Sequence, residues 1–303
     1  MATLIDVDVL ENNFGEMPQG ADLLADGRFI CLDVHSGVLN AWPAGPDGTA
    51  VGKTTSGPIA LTMGSDGQAY LAHTGGRIGD FWLADDAIPP CVQRVDLTDG
   101  SVETVLTEVD GVALVSPHDL AWGADGRLWV ADSHIWEFDP ALRQERSGHG
   151  RIIAISPNGD AETVVDTGIT FPAGIVGEAD GSVVWTEGYT DRVRRVRPDG
   201  SVHTVAQLPD GHTPHGVKVA VDGSLWVTSF GSGTIDVIAA DGSSVQHLPL
   251  GDADRPMNLT FDGQNLFVVE FLEDSAGEMV GRLLRVRTDS SGVVPLRGAL
   301  DRG

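Results

Sequence analysis

Two histidines stand out by their setting. His118 lies in Pro117-His118-Asp119 and His215 in Pro214-His215-Gly216, each directly after a proline and just before an apolar run. A neutral imidazole takes up a proton near pH 7 and also binds borderline metals, so two of them at matching positions suit acid–base or metal-assisted chemistry. Glu187 ends Val183-Val184-Trp185-Thr186, and Glu270 ends Phe267-Val268-Val269. A carboxylate after such a run is expected to be partly desolvated, which raises its pKa and fits general acid or base work. Asp33 with His35, and Asp132 with His134, repeat an Asp-x-His pattern that can bind metal or shuttle protons; for Asp33, capping of a turn is the preferred reading. Glu16 is a further carboxylate, and with His118 and His215 it makes the candidate metal-ligand set. His149, His203 and His247 fall near outer strands or turns and receive no role. The chain has no Gly-x-Ser-x-Gly elbow and no phosphate loop, and Cys31 and Cys91 lack metal-ligand spacing. Serine-nucleophile, phosphoryl-transfer and zinc-finger chemistry are unsupported.

These residues must be positioned by a repeat. Asp-Gly pairs recur at residues 26, 66, 125, 180, 222 and 262, each between a short apolar stretch and a strand-like run such as Arg127-Leu128-Trp129-Val130 or Ser224-Leu225-Trp226-Val227. Asp-Gly between two strands predicts a hairpin with a type I′ turn. A second turn follows in each unit, at residues 47, 99, 158, 199, 241 and, more weakly, Ser291-Gly292. Two hairpins per unit, six times over, predict an all-β fold: a six-bladed β-propeller of four-stranded blades, one domain over residues 1–303. The alternating segment Leu4–Leu10 is expected to pair in the last blade and so close the ring. A strand near 293–296 is expected to complete that blade. The first Asp-Gly turns are 40, 59, 55, 42 and 40 residues apart, so units two and three carry insertions. These are placed at 74–90 and 133–149, overhanging one mouth of the central channel.

A proline precedes every first strand, at residues 18, 58, 117, 172, 214 and 256. Proline fits there because it starts a strand without needing to donate to the ladder. The residue after each proline is predicted to line one rim of the channel: Gln19, Ile59, His118, Ala173, His215 and Met257. A mostly apolar ring with a few polar groups suits a small-molecule pocket. Asn258, His73, Tyr189, His212 and Phe230, with Trp82 and Trp136 from the insertions, are candidates for its wall. Asp119 follows His118 but is expected to point the other way.

Composition narrows the partners. With 19 Lys plus Arg against 44 Asp plus Glu, the formal charge is −25. Nucleic acid and anionic membrane surfaces both require basic protein surface, so neither is expected as a partner. No apolar run reaches the length of a membrane span. The acidic N-terminus has no leader pattern, and two cysteines are too few for a disulfide scaffold; both fit a reducing, cytoplasmic compartment.

The Pro-x-Gly, Asp-Gly and Leu-Trp-Val pattern resembles the senescence-marker-protein/gluconolactonase (regucalcin-like) family, over nearly the whole chain. That resemblance implies a lactonase-like hydrolase with one divalent metal, calcium foremost, deep in the channel. Its family ligands are a Glu, two Asn and an Asp. By the proline register these positions hold Gln19, His118, Ala173 and His215, so the oxygen set that calcium prefers is largely absent. Magnesium and zinc are the alternatives. The segment Phe171–Gly200 and Thr213-Pro214-His215-Gly216 also resemble streptogramin B lyase repeats, which implies a histidine base opening a cyclic ester by elimination. The leading expectation is hydrolysis of a lactone or related cyclic ester, with His215 or His118 activating water. A β-eliminating lyase and a non-catalytic ligand-binding propeller are the alternatives.

Overall fold

The computed structural model describes residues 2–146, 148–252 and 255–301. It contains six antiparallel sheets of four strands each, arranged as a β-propeller. In each of the first five blades the strands run outward in chain order: 18–23, 29–33, 38–45 and 48–53 in blade one, and 58–63, 69–73, 91–95 and 102–106 in blade two. Blade three holds 116–122, 128–133, 150–155 and 161–168; blade four holds 172–177, 183–187, 192–196 and 202–207; blade five holds 214–219, 225–229, 234–238 and 245–249. Blade six takes three strands from the end of the chain, 255–262, 265–273 and 279–288, and its outermost strand is Leu4–Glu11. The two ends of the repeat are thereby joined, as the alternation of Leu4–Leu10 foretold. A single four-residue helix, Arg143–Arg146, interrupts the β structure among the described residues. Among the described residues no helix is long and apolar enough to cross a membrane.

The core lies between blades. Trp129 and Trp226 come from equivalent positions of the second strands, Trp185 stands one residue further along its own strand, and all are at most 4% exposed. Large flat side chains there fill the wedge between neighbouring twisted sheets. Cys31 and Cys91 are buried free thiols.

Two local expectations need correction. In all six first hairpins only the glycine has positive φ, for example +85° at Gly27 and +79° at Gly67. The aspartate keeps ordinary φ; in blade one, for instance, Asp26 accepts the Arg28 N–H at 3.0 Å, while Gly27 N–H bonds Leu24 C=O and Leu24 N–H bonds Arg28 C=O. This is a longer loop with one left-handed glycine, not a type I′ turn, because the Asp side chain satisfies the backbone that a second left-handed residue would otherwise have to turn. In the sixth blade, Asp262 pairs directly with Asn265 across a two-residue loop. The second correction concerns 293–296, which is not a strand. Leu4–Glu11 already occupies the outer edge of blade six. The C-terminal segment instead crosses the channel mouth opposite the six prolines: Val293 N–H bonds Val219 C=O, Ser65 N–H bonds Gly298 C=O, and Arg297 grips Asp22 in blade one.

Candidate functional site

Each proline that opens a first strand pairs with the residue that ends the second strand: Pro18 with Asp33, Pro58 with His73, Pro117 with Asp132, Pro172 with Glu187, Pro214 with Ser229 and Pro256 with Glu270. In every blade the pairing then slips within the next few residues. A bulge at this point re-aims the residue after the proline. Gln19, Ile59, His118, Ala173, His215 and Met257 are all buried. His118 and His215 belong to blades three and five, which do not adjoin. Their ring centroids are nonetheless 4.8 Å apart, with the planes at 66°. Two such rings can touch only through the central channel.

Close approach of the first strands makes this possible. A Cβ on Gly174 would lie 2.1 Å from the His215 carbonyl oxygen, so only glycine lets blade four come that near blade five. Threonine hydroxyls brace the ring: Thr186 donates to the His215 carbonyl at 2.6 Å, and Thr228 donates to the Met257 carbonyl at 2.8 Å.

The protonation pattern follows from the partners. Met257 C=O lies 2.8 Å from His215 Nδ1. A carbonyl only accepts, so Nδ1 carries the proton and Nε2 keeps its lone pair. Burial pushes the His215 pKa down to about 4, and it lowers His118 well below its usual value, helped by repulsion from His215. Both rings are therefore neutral at pH 7. His118 Nδ1 has no hydrogen-bond partner among the described residues, nor has either side-chain atom of the fully buried Gln19. Unpaired buried polar atoms are costly, and a polar ligand is one way to satisfy them. Asp119 does face away from His118: its carboxylate accepts from Leu120 N–H at 2.9 Å and Ile175 N–H at 3.0 Å, and burial pushes it up to about 6.

Above the imidazoles the mouth is capped by aromatic side chains. Phe171 sits 4.9 Å from His118, Trp136 4.6 Å from Phe171, and Tyr189 4.8 Å from Trp136 (ring centroids). Arg143, from the short helix, lies 3.8 Å above the Tyr189 ring. Phe171 holds a left-handed φ of +56°, an uncommon conformation for a large residue. His134 Nε2 accepts the Phe171 N–H at 3.2 Å and fixes it there. The two insertions meet over this mouth, with Phe81 and Phe138 5.7 Å apart. The structure brings Trp136 and Tyr189 together at this mouth, with Phe171 and with His134 holding it, two residues the sequence reading did not place there. The dipeptide Phe171-Pro172, immediately before a ring position, was the available signal.

Other candidates have different duties. Asp33 Oδ1 accepts from Glu16 and Met17 N–H, and its Oδ2 accepts from Ser36; Asp132 accepts from Val115 and Ser116 N–H and pairs with Arg151 at 2.6 Å. Both cap the segment entering a first strand. Glu187 is buried, but it is bound by Trp185, Thr190 and Arg192. Glu270 is likewise buried and bound by Arg282. These acids are charge-paired braces at the strand ends rather than solitary acids at the imidazoles, because each faces an arginine directly opposite it on the adjacent third strand. Their proposed catalytic role is not supported by this placement. His73 is a satisfied internal histidine, accepting Gly75 N–H at 3.0 Å, and burial lowers its pKa to about 4. Trp82 stacks on His35 at 4.8 Å. Phe230 packs near Phe271 at 6.1 Å, and Asn258 accepts its neighbour Leu259 N–H at 2.8 Å. His212 turns to Asp236, 2.7 Å away.

The metal set of Glu16, His118 and His215 does not assemble. Glu16 is exposed and pairs with His35 at 2.7 Å. What remains at the ring is one amide and two imidazoles, one of them already committed through Nδ1 to a carbonyl. Calcium and magnesium want several oxygens, carboxylate among them, so these residues do not fit either ion. A cavity of about 360 Å³ lies elsewhere, at the opposite mouth, where Asp22, Thr62, Lys218 and Thr260 face the C-terminal segment.

The chain is thus a six-bladed propeller with the side chains of its inner strands gathered at one channel mouth under an aromatic cap. The family model described as SMP-30/gluconolactonase/LRE-like region matches residues 18–270, and the chain belongs to that family. A virginiamycin B lyase from Nocardia farcinica is 27% identical over 227 residues, covering 66% of this chain and 72% of that protein. Among solved structures, a gluconolactonase from Xanthomonas campestris superposes with a TM-score of 0.69 at 19% identity, covering 93% of this chain and 89% of the other. A calcium-binding protein, regucalcin, from Agrobacterium tumefaciens superposes with a TM-score of 0.73 at 17% identity, covering 97% of each chain. At these identities the two structures speak to the fold.

Proposed function

We propose that this protein opens a small cyclic ester at the His118–His215 mouth, with His215 as general base. The observation that carries this reading is the His215 Nδ1 contact with the Met257 carbonyl. It fixes the tautomer and leaves Nε2 as a proton acceptor inside the channel. In hydrolysis, Nε2 takes a proton from water as the water attacks the ester carbonyl. Gln19, whose amide has no hydrogen-bond partner among the described residues, donates N–H to the oxygen that gains charge. The aromatic cap of Phe171, Trp136 and Tyr189 supplies the apolar contact surface and excludes bulk water. Membership in a family described by a gluconolactonase supports this reading.

Elimination is the second reading, favoured by the 27% identity to a virginiamycin B lyase. Here Nε2 removes a proton α to a carbonyl and the ester oxygen leaves as carboxylate. Reaction of five- and six-membered lactones and of a cyclic depsipeptide in ¹⁸O-water separates the two. Hydrolysis puts one labelled oxygen into the product acid. Elimination puts in none and creates a conjugated alkene seen in the ultraviolet. No turnover on the whole panel would leave the binding-only reading. The small-molecule partner and cytoplasmic setting belong to the same proposal.

A further inference from the structure

A second histidine pair lies outside the channel, on blade five. His212 precedes the first strand of that blade, Asp236 lies on its third strand and His247 on its fourth. Asp236 is fully buried. His212 Nδ1 lies 2.7 Å from Asp236 Oδ2, and His247 Nδ1 lies 2.7 Å from Asp236 Oδ1. The two rings are 4.8 Å apart. The donor atoms of all three residues lie within 4.8 Å of one another. Ser229 donates to Oδ2 at 2.6 Å and Thr234 to Oδ1 at 3.1 Å.

We propose that His212, Asp236 and His247 bind one zinc-class divalent cation. A fully buried carboxylate must be paired or metal-bound, and among the described residues no lysine or arginine reaches Asp236. Among the described residues the two imidazoles are its sources of positive charge, unless a cation takes the place of their protons. Two imidazole nitrogens with a carboxylate suit zinc, cobalt or nickel rather than calcium. Zinc binds nitrogen and oxygen at about 2.0–2.2 Å in a tetrahedron, which sets its ligand atoms roughly 3.3 Å apart; the 2.7 Å N–O contacts are hydrogen bonds that lengthen by about half an ångström when the ion replaces their protons. His247 is 40% exposed at its side chain, so its ring has room to close the remaining gap. Ser229 and Thr234 hold the carboxylate as outer-shell donors, a usual feature of metal sites. The bound ion would tie residues 209–213 to the outer strands of blade five, and that loop feeds the strand carrying His215.

The test uses untagged full-length protein, stripped with chelator and titrated with Co²⁺, whose visible absorbance reports ligation, and then with Zn²⁺ in competition. Wild type is expected to take up one equivalent, and Zn²⁺ is expected to raise its melting temperature. His247→Ala, which alters a partly exposed ring and preserves the fold by circular dichroism, is expected to weaken Co²⁺ binding at least about ten-fold and to abolish the Zn²⁺ shift in melting temperature. Asp236→Asn is expected to do the same if it folds. His118→Ala is expected to keep the full equivalent. The proposal is overturned if wild type takes up no Co²⁺, if His247→Ala binds as wild type does, or if His118→Ala removes the binding.

Discussion

The His118 and His215 rings meet edge to face across the channel, 4.8 Å between centroids, yet only His215 has its Nδ1 bonded to a backbone carbonyl. The two are therefore not equivalent. His215 has a defined tautomer that leaves Nε2 as an acceptor, whereas His118 Nδ1 has no hydrogen-bond partner among the described residues. Replacing His215 by Ala should reduce kcat by roughly 10²–10⁴-fold, the range for loss of a positioned base. Replacing His118 by Ala should cost less in kcat and more in KM, since its unpaired nitrogen is placed to bond substrate. Full turnover in both variants would remove the site from the channel.

Burial lowers the pKa of His73, His134 and His215 to about 4, and holds that of His118 well below its usual value. The unfolded chain takes up these protons near pH 6.5 and the folded one does not, so folding stability rises with pH between about 4 and 6.5 and is flat above. Asp119, pushed up to about 6, and Asp132, also raised by burial, act in the opposite sense. Four histidines against two acids leave a net loss of stability as the pH falls from about 6.5 towards 5. Urea midpoints at pH 7, 6 and 5 measure it, and equal midpoints would contradict the buried neutral histidines. Initial rates should behave differently. With His215 titrating at about 4, kcat/KM should hold constant from pH 7 to 5.5, where a base of ordinary histidine pKa would lose about ten-fold.

The propeller was legible because its signals are local and repeated. Pro18, Pro58, Pro117, Pro172, Pro214 and Pro256 each mark a strand start, and the pairing of each with the end of the second strand keeps one register throughout. That register placed His118 and His215 in the channel from spacing alone. Glu187 and Glu270 misled because an apolar run before a carboxylate tells of burial but not of the arginine waiting for it. Arg192 and Arg282 stand on neighbouring strands, and their reach depends on side-chain direction. The Asp236–His247 contact was missed for a similar reason. The two residues face each other across the third and fourth strands, where the register of the outer hairpin decides, and the third member, His212, comes from a loop. Residues 293–296 were misplaced because their local pattern suits a strand, while the competition for the edge of blade six was settled by a segment at the other end of the chain.

The N-terminal strand makes its own prediction. Leu4–Glu11 covers the outer edge of the ten-residue strand Met279–Thr288, with Asp8 paired to Arg285. Removing residues 1–11 should leave that long edge open. Open edges recruit strands from other molecules. The truncated protein should therefore melt lower and elute from gel filtration as larger, concentration-dependent species. Unchanged elution and melting would mean that closure does not depend on this strand.

The last prediction concerns the mouth opposite the histidines. Arg297 holds Asp22 through two parallel contacts of 2.6 Å, and Asp22 also accepts from Met63 N–H at 2.8 Å. The Asp22 side chain is 5% exposed and that of Arg297 24%. Breaking such a pair from one side leaves a buried charge without its partner, which typically costs roughly 3–5 kcal/mol. Arg297→Met should approach that range in urea denaturation, because the Asp22 carboxylate stays buried behind it. The double variant Asp22→Asn/Arg297→Met should lose clearly less than the sum of the single variants, since the orphaned charge is then gone. Additive losses would mean that the two residues stabilise the fold independently and that the C-terminal segment is held by its backbone contacts to Ser65 and Val219 instead.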